Sequence, residues 1–178
     1  ADQTVSNNYF ERLAGSSNRS ALAVMDAQAS PPLSGYAPVV NATISRNTFV
    51  DVAKISFGVG HDTAKGIDVA ASNSRFSANL IVNRTSKNPP NAASSLAGIA
   101  FSGNVQSPQA STVFPSGVES RSVTLQQAAS GLWTPTPALP ATGADPALAM
   151  TAREATGVDW YPKVGEVALS RTSTGVDR

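Results

Sequence analysis

A handful of side chains in this sequence carry chemistry suited to gripping a charged or ring-shaped ligand. Arg19 offers a planar guanidinium that can clasp a carboxylate through two parallel hydrogen bonds. Lys54 opens the segment Lys54-Ile55-Ser56-Phe57-Gly58, where alternation turns its ammonium outward from an apolar face. His61, the only histidine, comes directly after that segment. Tyr36 stands in a long stretch of turn formers and presents a flat ring for stacking. Asp26 is a lone carboxylate, a poor start for a cation site that needs several oxygens. Each of these residues also has a plain reading as a solvated loop or surface group. Glu11 and Arg12 are expected to face opposite ways on one strand and to serve the surface.

What holds these residues in place is written in a repeated phrase. Val5-Ser6-Asn7-Asn8-Tyr9-Phe10, Ile44-Ser45-Arg46-Asn47-Thr48-Phe49 and Phe76-Ser77-Ala78-Asn79-Leu80-Ile81 share the order apolar, Ser, any, Asn, any, apolar. They begin 39 and then 32 residues apart. A constant phrase at unequal spacing predicts a solenoid whose coils are alike and whose loops vary. A weaker fourth phrase, Phe101-Ser102-Gly103-Asn104-Val105, is broken at Gln106. The Asn at 8, 47 and 79 is expected to turn one strand into the next by adopting left-handed geometry. Stacked coil upon coil, these amides would bond one another as a ladder.

A second strand is expected in each unit: Ser20–Met25, Lys54–Gly58 and Ala97–Phe101, with Leu22, Val24, Ile55, Phe57, Ile99 and Phe101 inward and mostly small residues outward. Turn formers at 30–35, 61–66 and 87–90 mark the variable loops. A β-sandwich shares this turn density, but the repeated Asn phrase favours the solenoid. The fold expectation is therefore all-β, a right-handed parallel β-helix over residues 4–130. An extended tail over 131–178 is expected to pack on the coils or leave them. Val123-Thr124-Leu125 reads as a last strand, 149–155 as a short helical turn and Trp160 as a packed anchor. Trp133 is likewise assigned to packing.

Composition narrows the function. Of 178 residues, 13 are basic and 12 acidic, so no overall charge draws the chain to nucleic acid or an anionic membrane. Charged residues are only 14% and cysteines are absent, which removes disulfide and thiolate metal chemistry. No apolar run approaches the ~20 residues of a membrane span. Ala1-Asp2-Gln3-Thr4 runs straight into the first phrase and does not read as a secretory leader, so an exported protein would stand here as a mature or internal piece. The triplets at Asn18, Asn41 and Asn83 match the glycosylation pattern, though turn chemistry accounts for them equally well.

In this order, TVSNNYFERLAG, NATISRNTFVDVAKISFGVG, FSANLIVN and GIAFSGNV, then GLWTP and ALAMTAREATGVDWYP, the chain resembles polysaccharide lyase family six, the alginate lyases and chondroitinase B relatives. The resemblance runs from about residue 4 to 162 and points to that family's C-terminal coils. It implies cleavage of acidic polysaccharide by β-elimination. There a Lys takes the C5 proton, an Arg assists charge and leaving group, and calcium, held by Asn and Glu oxygens, neutralises the uronate carboxylate. The family's Glu-x-Glu-x-Ile-x-Asn-Lys-Ser and Leu-Arg-His-Gly segments do not occur in this sequence. No catalytic or calcium-binding residue is therefore assigned, and this chain alone is expected to be inactive. Arg19, Lys54, His61 and Tyr36 become candidate substrate contacts along the family's groove. The expected partner is the N-terminal half of the same enzyme as a separate chain, or a second copy meeting the open coil end. The implied location is periplasmic or secreted, and alginate is favoured over a glycosaminoglycan. The alternative is a non-catalytic carbohydrate-binding or structural β-helix.

Overall fold

The computed structural model describes residues 2–6, 8–13, 20–84, 91–92, 96–108, 116–127, 129 and 131–136. Asn18, Arg19, the 149–155 turn and Trp160 lie outside them.

The chain is a parallel β-helix. Its first coil contributes β1 (Gln3–Ser6), β2 (Tyr9–Glu11) and β3 (Ser20–Met25). The second contributes β4 (Ala42–Ser45), β5 (Thr48–Val50) and β6 (Lys54–Val59). The third adds β7 (Ser74–Ser77), β8 (Leu80–Val82) and β9 (Asn91–Ala92), and the fourth β10 (Ile99–Ser102) and β11 (Asn104–Gln106). β12 (Val118–Ser120) begins a fifth turn. Strands one coil apart pair in parallel, giving sheets ordered β1-β4-β7-β10, β2-β5-β8-β11-β12 and β3-β6-β9. These are sheets A, B and C.

Because strand side chains alternate, each sheet sends one column of residues inward. Sheet A sends Val5, Ile44, Phe76 and Phe101, aligned by register. Sheet B sends Phe10, Phe49 and Ile81. Sheet C sends Leu22 and Ile55, then Val24 and Phe57. Phe10 stacks on Phe49 at 4.8 Å and 5°. Phe57 meets Phe76 edge-on at 5.6 Å. The inward residues expected on Ser20–Met25 and Lys54–Gly58 are therefore the ones that pack the core.

Two expectations need correction. The segment Ala97–Phe101 is not the third strand of the second kind: Ile99–Ser102 pairs with β7 in sheet A, and the sheet C strand of that coil is Asn91–Ala92. The fourth phrase is thus a full rung. Gln106 interrupts the sequence pattern, yet it is buried in β11. Nor does the repeated Asn take left-handed geometry. That burden falls on the residue before it, Arg46 at φ 55°, Ala78 at φ 52° and Gly103 at φ 59°. A single left-handed residue bends the chain sharply from sheet A into sheet B. The Asn then stays free to point along the axis, where its backbone N–H and its amide reach the same acceptor.

The resulting ladder is continuous. Asn8 donates its N–H and its Nδ2–H to Asn47 Oδ1, both at 3.0 Å. Asn47 does the same to Asn79 Oδ1 at 2.9 and 3.0 Å, and Asn79 to Asn104 Oδ1 at 3.0 Å each. The remaining Nδ2 proton of Asn47, Asn79 and Asn104 goes back to the carbonyl of Val5, Ile44 and Phe76. Asn104 ends the series on the Gly117 carbonyl at 3.1 Å.

A second ladder was not read from the sequence. At the other corner of sheet A, Asn73 Nδ2 donates to Asn41 Oδ1 at 2.6 Å, and Asn41 Nδ2 to Asp2 Oδ1 at 2.8 Å. Here the Asn residues themselves are left-handed, at φ 58° and 46°. The signal was present: Asp2, Asn41 and Asn73 each precede a first-ladder Asn by six residues. Asn41 is thus engaged in turn chemistry while exposed, and Asn83 is 1% exposed, so the Asn83 triplet does not read as an open glycan acceptor.

Candidate functional site

The outer face of sheet B is covered along β8 and β11. Its outer residues Leu80, Val82 and Val105 pack under Val123 and Leu125. A hairpin of β13 (Leu125–Gln127) and β14 (Trp133–Pro135), antiparallel, continues that cover. Arg84 joins it to the coils. Its guanidinium pairs with Asp51 and lies 3.9 Å over the Trp133 ring, an arrangement that gains from both charge and the ring's negative face. Trp133 N–H donates to the Tyr9 hydroxyl at 3.0 Å, and that hydroxyl donates to Glu11 at 3.2 Å. Trp133 is a packing residue, as the sequence indicates. Glu11 and Arg12 do not part company as expected. Arg12 sits past the strand end at φ 50°, so alternation lapses and it pairs with Glu11 at 3.1 Å.

Burial, with the Glu11 charge adding to it against the pull of the Trp133 N–H, raises the Tyr9 phenol from 10.0 to about 12. A phenol held protonated in the folded state stabilises it below pH 10, and that contribution is lost as pH rises toward 12. Alkaline titration of phenolate absorbance should therefore show one of the three tyrosines ionising near pH 12, and Tyr9→Phe should remove that step alone.

The chemically equipped region lies where β3 and β6 end. Between the two strands, Val24 pairs with Phe57 but Met25 with Val59, so Gly58 at φ 70° is an extra residue in a bulge. A bulge bends its strand and re-aims the next side chains. Asp26 N–H is held by the Val59 carbonyl at 3.0 Å, and two residues further on His61 Nδ1 meets Asp26 Oδ2 at 2.8 Å. The Asp26 side chain is 2% exposed, the His61 side chain 34%. An ionised carboxylate only accepts, so Nδ1 is the donor and Nε2 is the working nitrogen. Nε2 can then accept a hydrogen bond or a proton, or donate to an anion once protonated.

Around the dyad, Asp62 caps the 3-10 turn Thr63–Lys65 and pairs with Lys65 Nζ at 2.8 Å. The hydrogen bond to Lys65 leads in lowering the Asp62 carboxyl, and the same bond raises the Lys65 ammonium. Gln28 links the loops by donating to the Tyr36 carbonyl from its N–H at 3.1 Å, and to the Lys65 carbonyl from its side chain at 3.4 Å. Tyr36 is thereby joined through Gln28 to the loop that carries Lys65, and it is exposed. Lys54 faces outward too, but it opens β6 opposite Ser20, at the other end of the strand from His61. Asp26, discounted as a calcium ligand, proves to be the partner that orients His61. Nothing in the sequence announced this pair, because 35 residues separate them.

Among the described residues no group of three or more His, Asp or Glu could hold a metal ion. No residue of this chain is given a role toward the calcium that the family resemblance implies, and no step is assigned to it.

The family model of chondroitinase B matches residues 1–142. Among solved structures, that of the PL6 family alginate lyase AlyGC is 34% identical, with a TM-score of 0.71 over 91% of this chain. A mutant of the same enzyme is 33% identical over 90%, also at 0.71. The chain spans 22% of the length of either. Among the curated proteins compared with it, none matches. Repeated phrase, stacked coils, family model and structural likeness agree: the chain belongs to the chondroitinase B family of PL6 polysaccharide lyases.

Proposed function

We propose that this chain is the C-terminal coil stack of an alginate lyase that cleaves acidic polysaccharide by β-elimination outside the cytoplasm, and that preceding coils supply the catalytic Lys and Arg and any calcium. The observation that carries this reading is the 34% identity over 91% of the chain to an alginate lyase, by a chain that spans 22% of that enzyme. The contribution of the present coils is substrate positioning. His61 Nε2, fixed by Asp26, contacts a uronate carboxylate or hydroxyl, and Tyr36 flanks it.

The test combines activity with a spectrum. This chain alone should yield no unsaturated uronate from alginate, whereas its complex with the preceding coils should do so. In that complex His61→Ala should lower kcat/KM about tenfold, the loss of one hydrogen bond to a charged group. Because His61 is the only histidine, its ring resonances are read without overlap. They should report Nδ1–H in the free chain, gain an Nε2–H signal on titration with oligouronates and stay unchanged with neutral oligosaccharides. A complex inactive on every acidic polysaccharide, with the His61 shift intact, would replace the lyase reading by a carbohydrate-binding one.

A further inference from the structure

Where β3 and β6 end, the charged groups are acidic or already paired. Asp26 directly follows β3. Asp62 and Lys65 pair with each other at 2.8 Å on the next turn. The exposed Asp68 is tied through its N–H to the Ala27 carbonyl at 3.1 Å. Tyr36 is joined to the Lys65 loop through Gln28, and Lys54 stands at the other end of β6. Among the described residues, His61 is therefore the group that can bring a fresh positive charge to this place. Its geometry suits that task. A carboxylate that is 2% exposed needs a counter-charge, because an isolated buried ion is costly. Asp26 Oδ2 receives His61 Nδ1 at 2.8 Å, while the His61 side chain remains 34% exposed. A proton taken up on Nε2 turns that hydrogen bond into an ion pair and displays the charge at the surface. Without that proton, Nε2 presents a lone pair, which repels a carboxylate and accepts only from a donor such as a sugar hydroxyl.

We propose that the Asp26–His61 pair makes uronate recognition proton-coupled: the ligand carboxylate binds together with one proton, which sits on His61 Nε2 and is donated to that carboxylate as a hydrogen bond. The proton comes from solvent, and no covalent bond of the ligand changes. The inference rests on the proposed function in taking a uronate as the ligand of this site, and it adds how the site is regulated. The complex holds one proton more than its separated parts, so binding strengthens as pH falls and weakens as pH rises. The same atom then selects by charge state. In acid it favours a free uronate, and in alkali it favours a hydroxyl. An esterified or neutral sugar gains nothing from acid. Asp26 is a positioning residue here. By accepting from Nδ1 it fixes one ring proton, so the exchangeable proton is the one on Nε2.

The test is calorimetric titration of the full chain with saturated oligouronates prepared from alginate, between about pH 5.5 and about pH 8, where imidazoles change charge. A uronate carboxylate stays ionised over that range, so the titrating group lies on the protein. Affinity should fall about tenfold per pH unit toward the alkaline end, with about one proton taken up there per oligomer bound. The proton count is read from the dependence of the heat on the ionisation enthalpy of the buffer. Methyl-esterified oligomers should bind without proton uptake. His61→Gln keeps an N–H donor without a charge and should make oligouronate binding independent of pH. Asp26→Asn removes the counter-charge and should reduce the proton uptake. If that buried substitution fails to fold, the His61→Gln arm decides. Equal oligouronate affinity across the range, with no proton uptake, would overturn the proposal and leave His61 as an acceptor for a sugar hydroxyl. A pH dependence that survives His61→Gln would overturn it too. Absence of binding at every pH would overturn both this inference and the positioning role of His61. Lyase activity is not read in any arm. Proton-coupled binding by a chain whose complex with the preceding coils never cleaves a polysaccharide overturns the lyase reading and leaves this inference standing.

Discussion

Asn79→Ala should destabilise the fold by about 4 kcal/mol and lower its melting temperature by about 10 °C, far more than the loss of three atoms' packing would. Asn79 is 0% exposed and sits at the middle of the first ladder. Its Oδ1 receives both donors of Asn47, and its Nδ2 serves the Ile44 carbonyl and Asn104 Oδ1. Truncation strands the Asn47 N–H and leaves the Ile44 carbonyl without that donor, in a region water does not reach. Each buried group left unpaired costs about 1–3 kcal/mol. Asn79→Asp separates hydrogen bonding from volume. It keeps the acceptor but sets a carboxylate oxygen against Asn104 Oδ1, so it should be at least as damaging at neutral pH. Lowering the pH should then recover part of the loss, because the protonated acid can donate again. Urea unfolding of the three proteins measures this. A loss for Asn79→Ala of about 1 kcal/mol, with no pH dependence for Asn79→Asp, would reduce the ladder to a packing feature.

Gly98→Ala should be comparably severe, for a steric reason. A Cβ at this position would lie 1.7 Å from the Ala71 carbonyl oxygen, 2.7 Å from its carbon and 2.9 Å from Ser72 Cα. All three are backbone atoms of the neighbouring coil and no rotamer change can clear them. The Gly98 carbonyl also accepts the Ser74 N–H at 3.0 Å, so the corner must stay close for β7 and β10 to pair. Forcing it open should cost about 3 kcal/mol or more and release Phe101 from its contact with Phe76. Near-ultraviolet circular dichroism would report the lost aromatic packing beside a lowered melting temperature. Gly66→Ala is the matched control. Nothing lies within 4 Å of its Cβ, and only its φ of +66° opposes the change. It should cost about 1 kcal/mol. Equal effects at the two glycines would refute the close-approach explanation for Gly98.

The coil itself was legible in the chain. Apolar residues in alternation, a small Ser and a recurring Asn at 8, 47, 79 and 104 are short-range facts, and each is visible within six residues of chain. The same locality made the inward columns legible, since strand periodicity alone decides which side chain faces the core. Whether a given strand joined sheet A or sheet C was a different matter. Ile99–Ser102 and Lys54–Val59 look alike as apolar alternations, and only the length of the loop before each sets its place in the turn. The left-handed residue was misassigned for a related reason. Asn tolerates that geometry best in isolation, but in the stack its amide gains more by lying along the axis, and Arg46 and Ala78 accept the strain.

Partnership across coils emerged only from the folded stack. His61 and Asp26 meet because parallel pairing brings residues 35 apart side by side, and because the Gly58 bulge shifts the register by one just before them. Arg84 finds Asp51 in the coil below and Trp133 from the distant hairpin by the same stacking. Such pairs have no fixed spacing in the sequence, because the loops between coils vary freely. The direction of the Asn ladder is equally a property of the stack. One asparagine in a sequence has a donor and an acceptor and no preferred order, and the coils above and below it supply that order.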